Sequence, residues 1–196
     1  MRACLVILAT LLFSGSVQAQ ESVQLRAVPH IRYFLDRQEK KELFLVSWFP
    51  TNIMSGIPDN RNVFIGIGYA SKKWSIENMV WRQWSDAGNS ISLNWRFMSK
   101  PTNRLSLYME GGPRLDKKGF YEFVSIDVQV IGPLNIGVET ENTHRVGQDT
   151  LGIGPRLSIP LPFTFLKAKP LIAVSRQERT LGPNVTRMYT ILNWAF

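Results

Sequence analysis

The chain has 196 residues and a formal net charge of +8, from 23 Lys and Arg against 15 Asp and Glu. Its one cysteine, Cys4, lies at the very start, which excludes a fold held together by internal disulfide bonds. The length predicts a single domain. Because Lys and Arg are spread along the whole sequence, the basic balance indicates contact with anionic lipid head groups or an anion-preferring interior rather than with nucleic acid.

The first 19 residues have the pattern of a signal peptide. Arg2 supplies a positive charge, an apolar run follows from Leu5 to Phe13, and Val17-Gln18-Ala19 has the small residues of a cleavage site. We therefore expect residues 1–19 to direct secretion through the Sec pathway and to be removed. No later apolar run reaches the length of about 18 residues that a transmembrane helix needs, so a closed barrel is the one spanning structure left.

Residues 20–41 form a segment whose place in the fold is open at this stage. Alternation begins at Val23 and continues to Leu35, but Pro29 interrupts it, which is typical of an edge or irregular strand. This N-terminal segment can lie across one mouth of a barrel, enter the interior as a plug, or pair as an extra strand.

From residue 42 to residue 196 the sequence alternates apolar and polar residues between turn signals, which predicts β-strands. The predicted strands cover 43–49, 63–70, 74–84, 90–97, 105–110, 124–130, 134–141, 151–159, 166–175 and 187–196. We therefore predict an all-β protein, an antiparallel up-and-down β-barrel of about ten strands, with eight and twelve as the alternatives. The short turns 71–73, 99–103, 131–133 and 160–164 fall at one end, and the longer gaps 50–62, 113–119, 143–149 and 176–184 at the other.

Charged residues recur on one face of these strands. They are Arg96, Glu110, Asp127, Glu139, Glu141, Arg156, Lys167 and Lys169. Inside a barrel these side chains are expected to neutralise one another, because an unpaired buried charge is costly. Two outcomes stay open: an interior plugged by ion pairs, or a narrow polar or anion-favouring path.

Alternation by itself does not say which face is inside. In a soluble periplasmic barrel the apolar face points inward and can bind an apolar ligand, and the charged face meets water. In a membrane barrel the aliphatic face meets lipid and the polar face fills the interior.

The last strand ends the chain on an aromatic residue. Leu192, Trp194 and Phe196 share one face of it. This ending resembles the C-terminal strand of bacterial outer-membrane β-barrel proteins, where a terminal Phe preceded by alternating aromatic or apolar residues is the assembly signal; Ile191 stands where that family often has glycine. The resemblance implies the outer membrane of a Gram-negative bacterium, with outer-membrane lipid and the barrel assembly machinery as partners.

The same resemblance implies aromatic side chains at the two membrane interfaces. The candidates are Tyr69, Trp74, Trp84, Trp95 and Phe97. Trp74 and Trp84 lie ten residues apart, which matches one membrane strand of about 9 to 11 residues.

The chemistry-bearing residues are few. His144 follows Glu139 and Glu141, and a histidine near carboxylates can act as a general base. Outer-membrane lipid A 3-O-deacylases place a serine two residues after their histidine, but here that residue is Val146. We predict no catalytic residue, cofactor or metal site.

The expected function is therefore a structural or porin-like barrel that passes small polar solutes. A lipid-modifying enzyme at the barrel rim is an alternative. The sequence indicates no particular solute and no oligomeric state.

Overall fold

A computed structural model describes residues 22–38, 41–54, 61–85, 88–114, 119–164 and 168–196. The predicted signal peptide, residues 1–19, lies outside the described residues and stays a prediction. In the ranges above, no helix is long and apolar enough to cross a membrane.

The described chain is all-β. Its strands are β1 (Ser22–Arg37), β2 (Lys41–Trp48), β3 (Thr51–Met54), β4 (Arg61–Ser71), β5 (Trp74–Ser85), β6 (Gly88–Ser99), β7 (Leu105–Arg114), β8 (Gly119–Ile131), β9 (Leu134–Arg145), β10 (Gln148–Pro160), β11 (Lys169–Arg179) and β12 (Val185–Ala195).

The strands form a closed barrel of mostly antiparallel pairs. From β4 to β12 each strand pairs with the next one in sequence, and β4 also pairs with β2. The short β3 continues the course of β2 along β1, because His30 pairs with Trp48 of β2 and Ala27 pairs with Thr51 of β3. The twelve described strands therefore occupy eleven positions in the wall.

The wall is closed by a parallel pair. β1 runs alongside β12 from Ser22 opposite Val185 to Arg32 opposite Ala195. An odd number of strands cannot alternate in direction all the way around a ring, so one adjacent pair must be parallel. In this barrel that pair is β1 and β12, which form its seam. The predicted barrel is confirmed, and its wall holds one strand more than the ten predicted from residue 43 onward.

The extra strand comes from the N-terminal segment. Residues 22–37 form β1, the longest strand, so this part of segment 20–41 lies in the wall, the third of its three possible placements. Pro29 lies opposite Leu192 in regular register, and the register with β2 shifts between Phe34 and Asp36. Alternation from Val23 to Leu35 indicates this strand but not its partners, because closure of the ring sets β12 and β2 beside it.

The two faces of the wall are inverted relative to a water-soluble barrel. On β4, Ile65 is 60% exposed and Ile67 47% exposed, whereas Phe64 and Ala70 are buried. On β6, Ile91 and Leu93 are exposed, and the polar residues between and after them are buried. Aliphatic side chains therefore cover the outside, and the inside holds polar side chains together with an apolar cluster that includes Phe44, Trp48 and Phe64.

The two ends of the barrel are named here by their connections. The turn end carries the short turns at Lys72–Lys73, Lys100–Arg104 and Gly132–Pro133, and the chain also ends there at Phe196. The loop end is the opposite one, where β1 begins. The gap predicted at 143–149 is a tight turn at this end, in which Gly147 adopts φ 78°, a conformation that favours glycine.

The parallel seam gives a direct test of the strand number. Ala27 and Thr190 are paired across it. Adjacent strands lie about 4.8 Å apart, within the Cα separation that a disulfide bond accepts. In a chain carrying Cys4→Ser, we expect Ala27→Cys and Thr190→Cys to form a disulfide on oxidation of the folded protein, detected as a band shift on a non-reducing gel.

The matched control is Ala27→Cys with Thr140→Cys, because Thr140 lies on β9, away from the seam. This pair should stay reduced. A folded barrel in which the first pair also stays reduced would contradict the closure by β1.

Candidate functional site

The interior of the barrel is the candidate site. A cavity of about 940 Å³ runs through it, lined at the turn end by Lys73 and Arg104 and towards the loop end by Arg114 and Thr143. Alternation along each strand directs every second side chain into this space. The chemistry of the site is therefore set by the inward residues of the wall.

Glu139 on β9 is the best-connected carboxylate of the interior. Its Oε2 accepts a hydrogen bond from Arg156 Nη1 at 2.9 Å. Its Oε1 accepts hydrogen bonds from Tyr189 Oη and Gln177 Nε2, both at 2.8 Å, and from the Ser175 hydroxyl. The side chain is fully buried. These bonds tie β9 to β10, β11 and β12, so one carboxylate braces a third of the wall.

Arg156 divides its guanidinium group between two carboxylates. Its Nε lies 3.3 Å from Asp127 Oδ2, and its other contact is the bond to Glu139. The residue is buried. A buried charge with two charge-assisted hydrogen bonds is compensated. Removal of either carboxylate would leave the Arg156 charge only partly compensated.

Glu141, two residues after Glu139, is shared by arginines. Arg187 donates to Glu141 Oε2, and Arg179 Nη2 donates to the same oxygen at 2.9 Å. Tyr121 Oη donates to Oε1 at 3.2 Å. Arg26 is a third cation with an electrostatic influence on this carboxylate, although its hydrogen bond goes to Gln24 Oε1 at 2.8 Å.

Arg96 lies between aromatic rings on the β2 and β4 side of the interior. Its guanidinium carbon is 3.7 Å from the centroid of Trp48 and 4.7 Å from that of Phe64. Its Nε lies 3.1 Å from Glu110 Oε2, and Tyr108 donates to the same carboxylate oxygen. Cation–π contact and ion pairing together hold this arginine across the space between β6 and β2.

A second buried carboxylate, Glu77 on β5, was not predicted as part of the charge network. It accepts from Arg32 Nη2 at 2.7 Å and from Trp48 Nε1 at 3.2 Å, and His30 Nε2 lies 3.3 Å away. His30 also contacts Asn193 Oδ1 through Nδ1 at 2.9 Å. Its partners Arg32 and His30 lie on β1, and the sequence did not fix the place of β1 in the wall. In the sequence, the one sign of a role for Glu77 is that it shares a polar face with Ser75.

Six of the eight residues predicted for the charge network lie in the interior and make ion pairs there. They are Arg96, Glu110, Asp127, Glu139, Glu141 and Arg156. Lys169 is instead exposed at the turn end of the barrel. It is the first residue of β11 and pairs with Asn193, so its side chain lies at the mouth and not in the interior. Lys167 lies outside the described residues.

Other arginines missed by the sequence analysis complete the network. Arg187 is 1% exposed and Arg179 half-buried, and both bind Glu141. Each follows the inward alternation of its own strand, β12 or β11. Their partners come from β9, and a contact between strands so far apart in sequence has no local signal.

His144 lies near the loop end on the outer face of β9. Its ring is 40% exposed, Nδ1 lies 3.4 Å from Asp149 Oδ1, and Nε2 lies 3.9 Å from Glu122 Oε1. Among the described side chains, no serine or threonine hydroxyl is hydrogen-bonded to it. In the same ranges, no three His, Cys, Asp or Glu residues are grouped to hold a metal ion.

The aromatic residues predicted at membrane interfaces occupy outward positions. Tyr69 and Trp74 contact each other near the turn end, with ring centroids 5.6 Å apart. Trp95 and Phe97 follow on the turn-end half of β6, and Trp84 lies at the loop end, where Arg82 packs on its ring at 4.9 Å. Aromatic rings therefore flank the exposed aliphatic band at both ends.

The predicted assembly signal lies along the seam. Leu192 and Trp194 are opposite Pro29 and Ile31 of β1, and Phe196 exchanges backbone hydrogen bonds of 2.9 Å with Arg32 and Phe34. The Phe196 side chain is 57% exposed on the outside of the barrel. The terminal aromatic thus completes the outer face rather than the interior.

Comparisons with known proteins give one distant match. The sequence matches no protein-family model and no curated protein. A solved structure described as a KdgM porin is similar at 17% identity, over 79% of this chain and 92% of that chain, with a TM-score of 0.48. At this identity and TM-score the similarity supports no inference about activity, so the proposal below depends on the chain's own residues.

Proposed function

We propose that this chain is a β-barrel of a Gram-negative outer membrane whose narrow, ion-paired interior restricts passage to small polar solutes. The observation that carries the proposal is the inversion of its faces. Arg96, Glu77 and Glu139 are buried within the barrel, while Ile65, Leu93 and Ile153 are each more than half exposed on its outside.

The inversion has a thermodynamic consequence. Apolar surface left in water costs about 25 cal/mol per Å², and exposed apolar side chains occur on β2 and on every strand from β4 to β10. Monomeric soluble proteins rarely expose contiguous apolar patches larger than a few hundred Å². In a bilayer the same surface is favourable, and the described strands pair in a ring that closes on itself, as a membrane-spanning sheet requires.

The interior argues against the soluble alternative. A soluble barrel that binds an apolar ligand needs an apolar interior, and part of the wall does carry an apolar cluster that includes Phe44, Trp48, Phe64 and Met79. That cluster is already covered by Arg96 and Arg32, whose guanidinium groups lie on the rings of Trp48 and Phe44. The cluster therefore packs against guanidinium groups and does not line an open apolar pocket.

The size of the cavity supports selective passage. A volume of about 940 Å³ distributed along the barrel admits water and small solutes, while Arg96, Arg156 and Arg187 project into it. Barrels of eight strands are filled by their side chains, and those of 16 to 18 leave wide channels. Eleven positions fall between these cases, so side-chain pairing decides the width of the path.

A heat-modifiability gel with a bilayer recording tests the proposal. Protein refolded from urea into detergent should migrate faster unboiled than boiled, because a closed barrel stays compact in SDS. In a planar bilayer we expect small discrete conductance steps. Folding in plain buffer, or recovery of the expressed protein in the soluble periplasm, would contradict the membrane placement.

The ion-pair network predicts a stability effect at its centre. Glu139→Gln keeps the shape of the side chain but leaves Arg156 with Asp127 as its one remaining carboxylate. Breaking a buried ion pair costs about 3 to 5 kcal/mol. We expect the midpoint of urea unfolding in detergent or lipid vesicles to fall accordingly.

Glu178→Gln is the matched control for that measurement. Glu178 lies on β11, exposed and outside the interior network. Its replacement should change the free energy of unfolding by less than about 0.5 kcal/mol. Equal effects of the two substitutions would show that the network does not brace the wall.

A further inference from the structure

The loop-end half of the interior holds more cationic than anionic groups. Arg26, Arg179 and Arg187 surround one carboxylate, Glu141. The next carboxylates are Glu139, 3.8 Å from Arg187 Nη1, and Asp127, and both already bind Arg156. Counted together with Arg156 and its partners towards the middle of the barrel, four guanidinium groups therefore face three carboxylates.

Several guanidinium nitrogens in this group have no acceptor. They are Nε of Arg26, Nε of Arg179 and Nη1 of Arg187, each buried and without a hydrogen bond among the described residues. Arg187 is 1% exposed, and its hydrogen bonds to Glu141 and to Gln24 Oε1 leave Nη1 without an acceptor. Unpaired buried donors are costly, so an anion towards which these guanidinium groups turn is stabilised beside them.

The three arginines share an accessible space. All of them line the main cavity together with Gln24 and Tyr121. A smaller cavity of about 200 Å³, lined by Glu141, Thr143, Arg145, Thr150 and Arg179, lies beside it. A ligand of a few non-hydrogen atoms entering at the loop end can therefore contact the partly exposed side chains of Arg26 and Arg179, behind which Arg187 is buried.

We infer that Arg26 and Arg179, with the buried charge of Arg187 behind them, form a binding site for a small oxyanion, a phosphate or carboxylate group, inside the loop-end half of the barrel. Guanidinium groups suit such a ligand because their planar donors match two oxygens at a time. The inference rests on the proposed barrel and deepens it, since it names the class of solute that the interior retains.

The site is tested on the full chain refolded in detergent, by following thermal unfolding while sodium phosphate replaces sodium chloride at constant ionic strength. A parallel series uses sodium acetate, which separates a preference for phosphate from one for carboxylate. A ligand that binds the folded state raises the unfolding temperature with saturation. We expect a saturable rise with at least one of the two oxyanions.

Arg26→Gln should raise the phosphate or acetate concentration at half-saturation about tenfold, since it removes one cationic donor. Arg82→Gln is the control, because Arg82 is exposed on the outer face against Trp84. If Arg26→Gln does not fold, Arg179→Gln replaces it, and the wild-type titration still decides the question of saturation.

Each result has one meaning. Saturation that Arg26→Gln weakens and Arg82→Gln leaves unchanged supports the site. The absence of saturation with both oxyanions, or equal weakening by both variants, overturns it. The same samples are run unboiled on a gel: a compact band without an oxyanion effect refutes the site alone, whereas failure to fold in detergent refutes the proposed barrel.

Discussion

Closure of the sheet is the constraint on which the rest of this structure depends. Every backbone group in the hydrocarbon of a membrane needs a partner, so an open edge is not permitted there. The seam between β1 and β12 supplies that closure through eleven opposed residue pairs, from Ser22 with Val185 to Arg32 with Ala195. Because these strands are parallel, the start of β1 and the end of β12 lie at opposite ends of the barrel. The same pairing places His30 and Arg32 in the interior beside Glu77.

The interior charges brace the wall from within. Glu139 connects β9 with the three strands that follow it, and Glu77 connects β5 with β1 and β2. Buried ion pairs are not by themselves a source of stability, because desolvation offsets much of the attraction. Here each carboxylate also accepts a hydrogen bond from a neutral donor, Tyr189 for Glu139 and Trp48 for Glu77, which satisfies further lone pairs. The same side chains thus hold the wall and narrow the path through it.

Much of the fold could be predicted from the sequence, and the reason is periodicity. Alternation in strands such as β6 and β9 fixes which side chains share a face, so the sequence alone predicts that Arg96, Glu139 and Glu141 point to the same side of the wall. What alternation cannot give is the partner of a strand that closes the ring. The roles of Arg32, His30 and Arg187 depend on contacts between strands far apart in sequence, and the local pattern around each carries no trace of them.

The distribution of charge along the barrel connects its architecture with the solutes it can admit. Lys72, Lys73, Lys100 and Arg104 surround the turn-end mouth, and Arg26 and Arg179 lie towards the loop end. Between these cationic regions, Asp127 and Glu139 hold Arg156 in a compensated pair. For the passage proposed above, this arrangement predicts a potential that favours anions at either mouth and favours them less at the middle, where the local dielectric is low and charges interact strongly. On that proposal the carboxylates around Arg156 limit how readily an anion crosses.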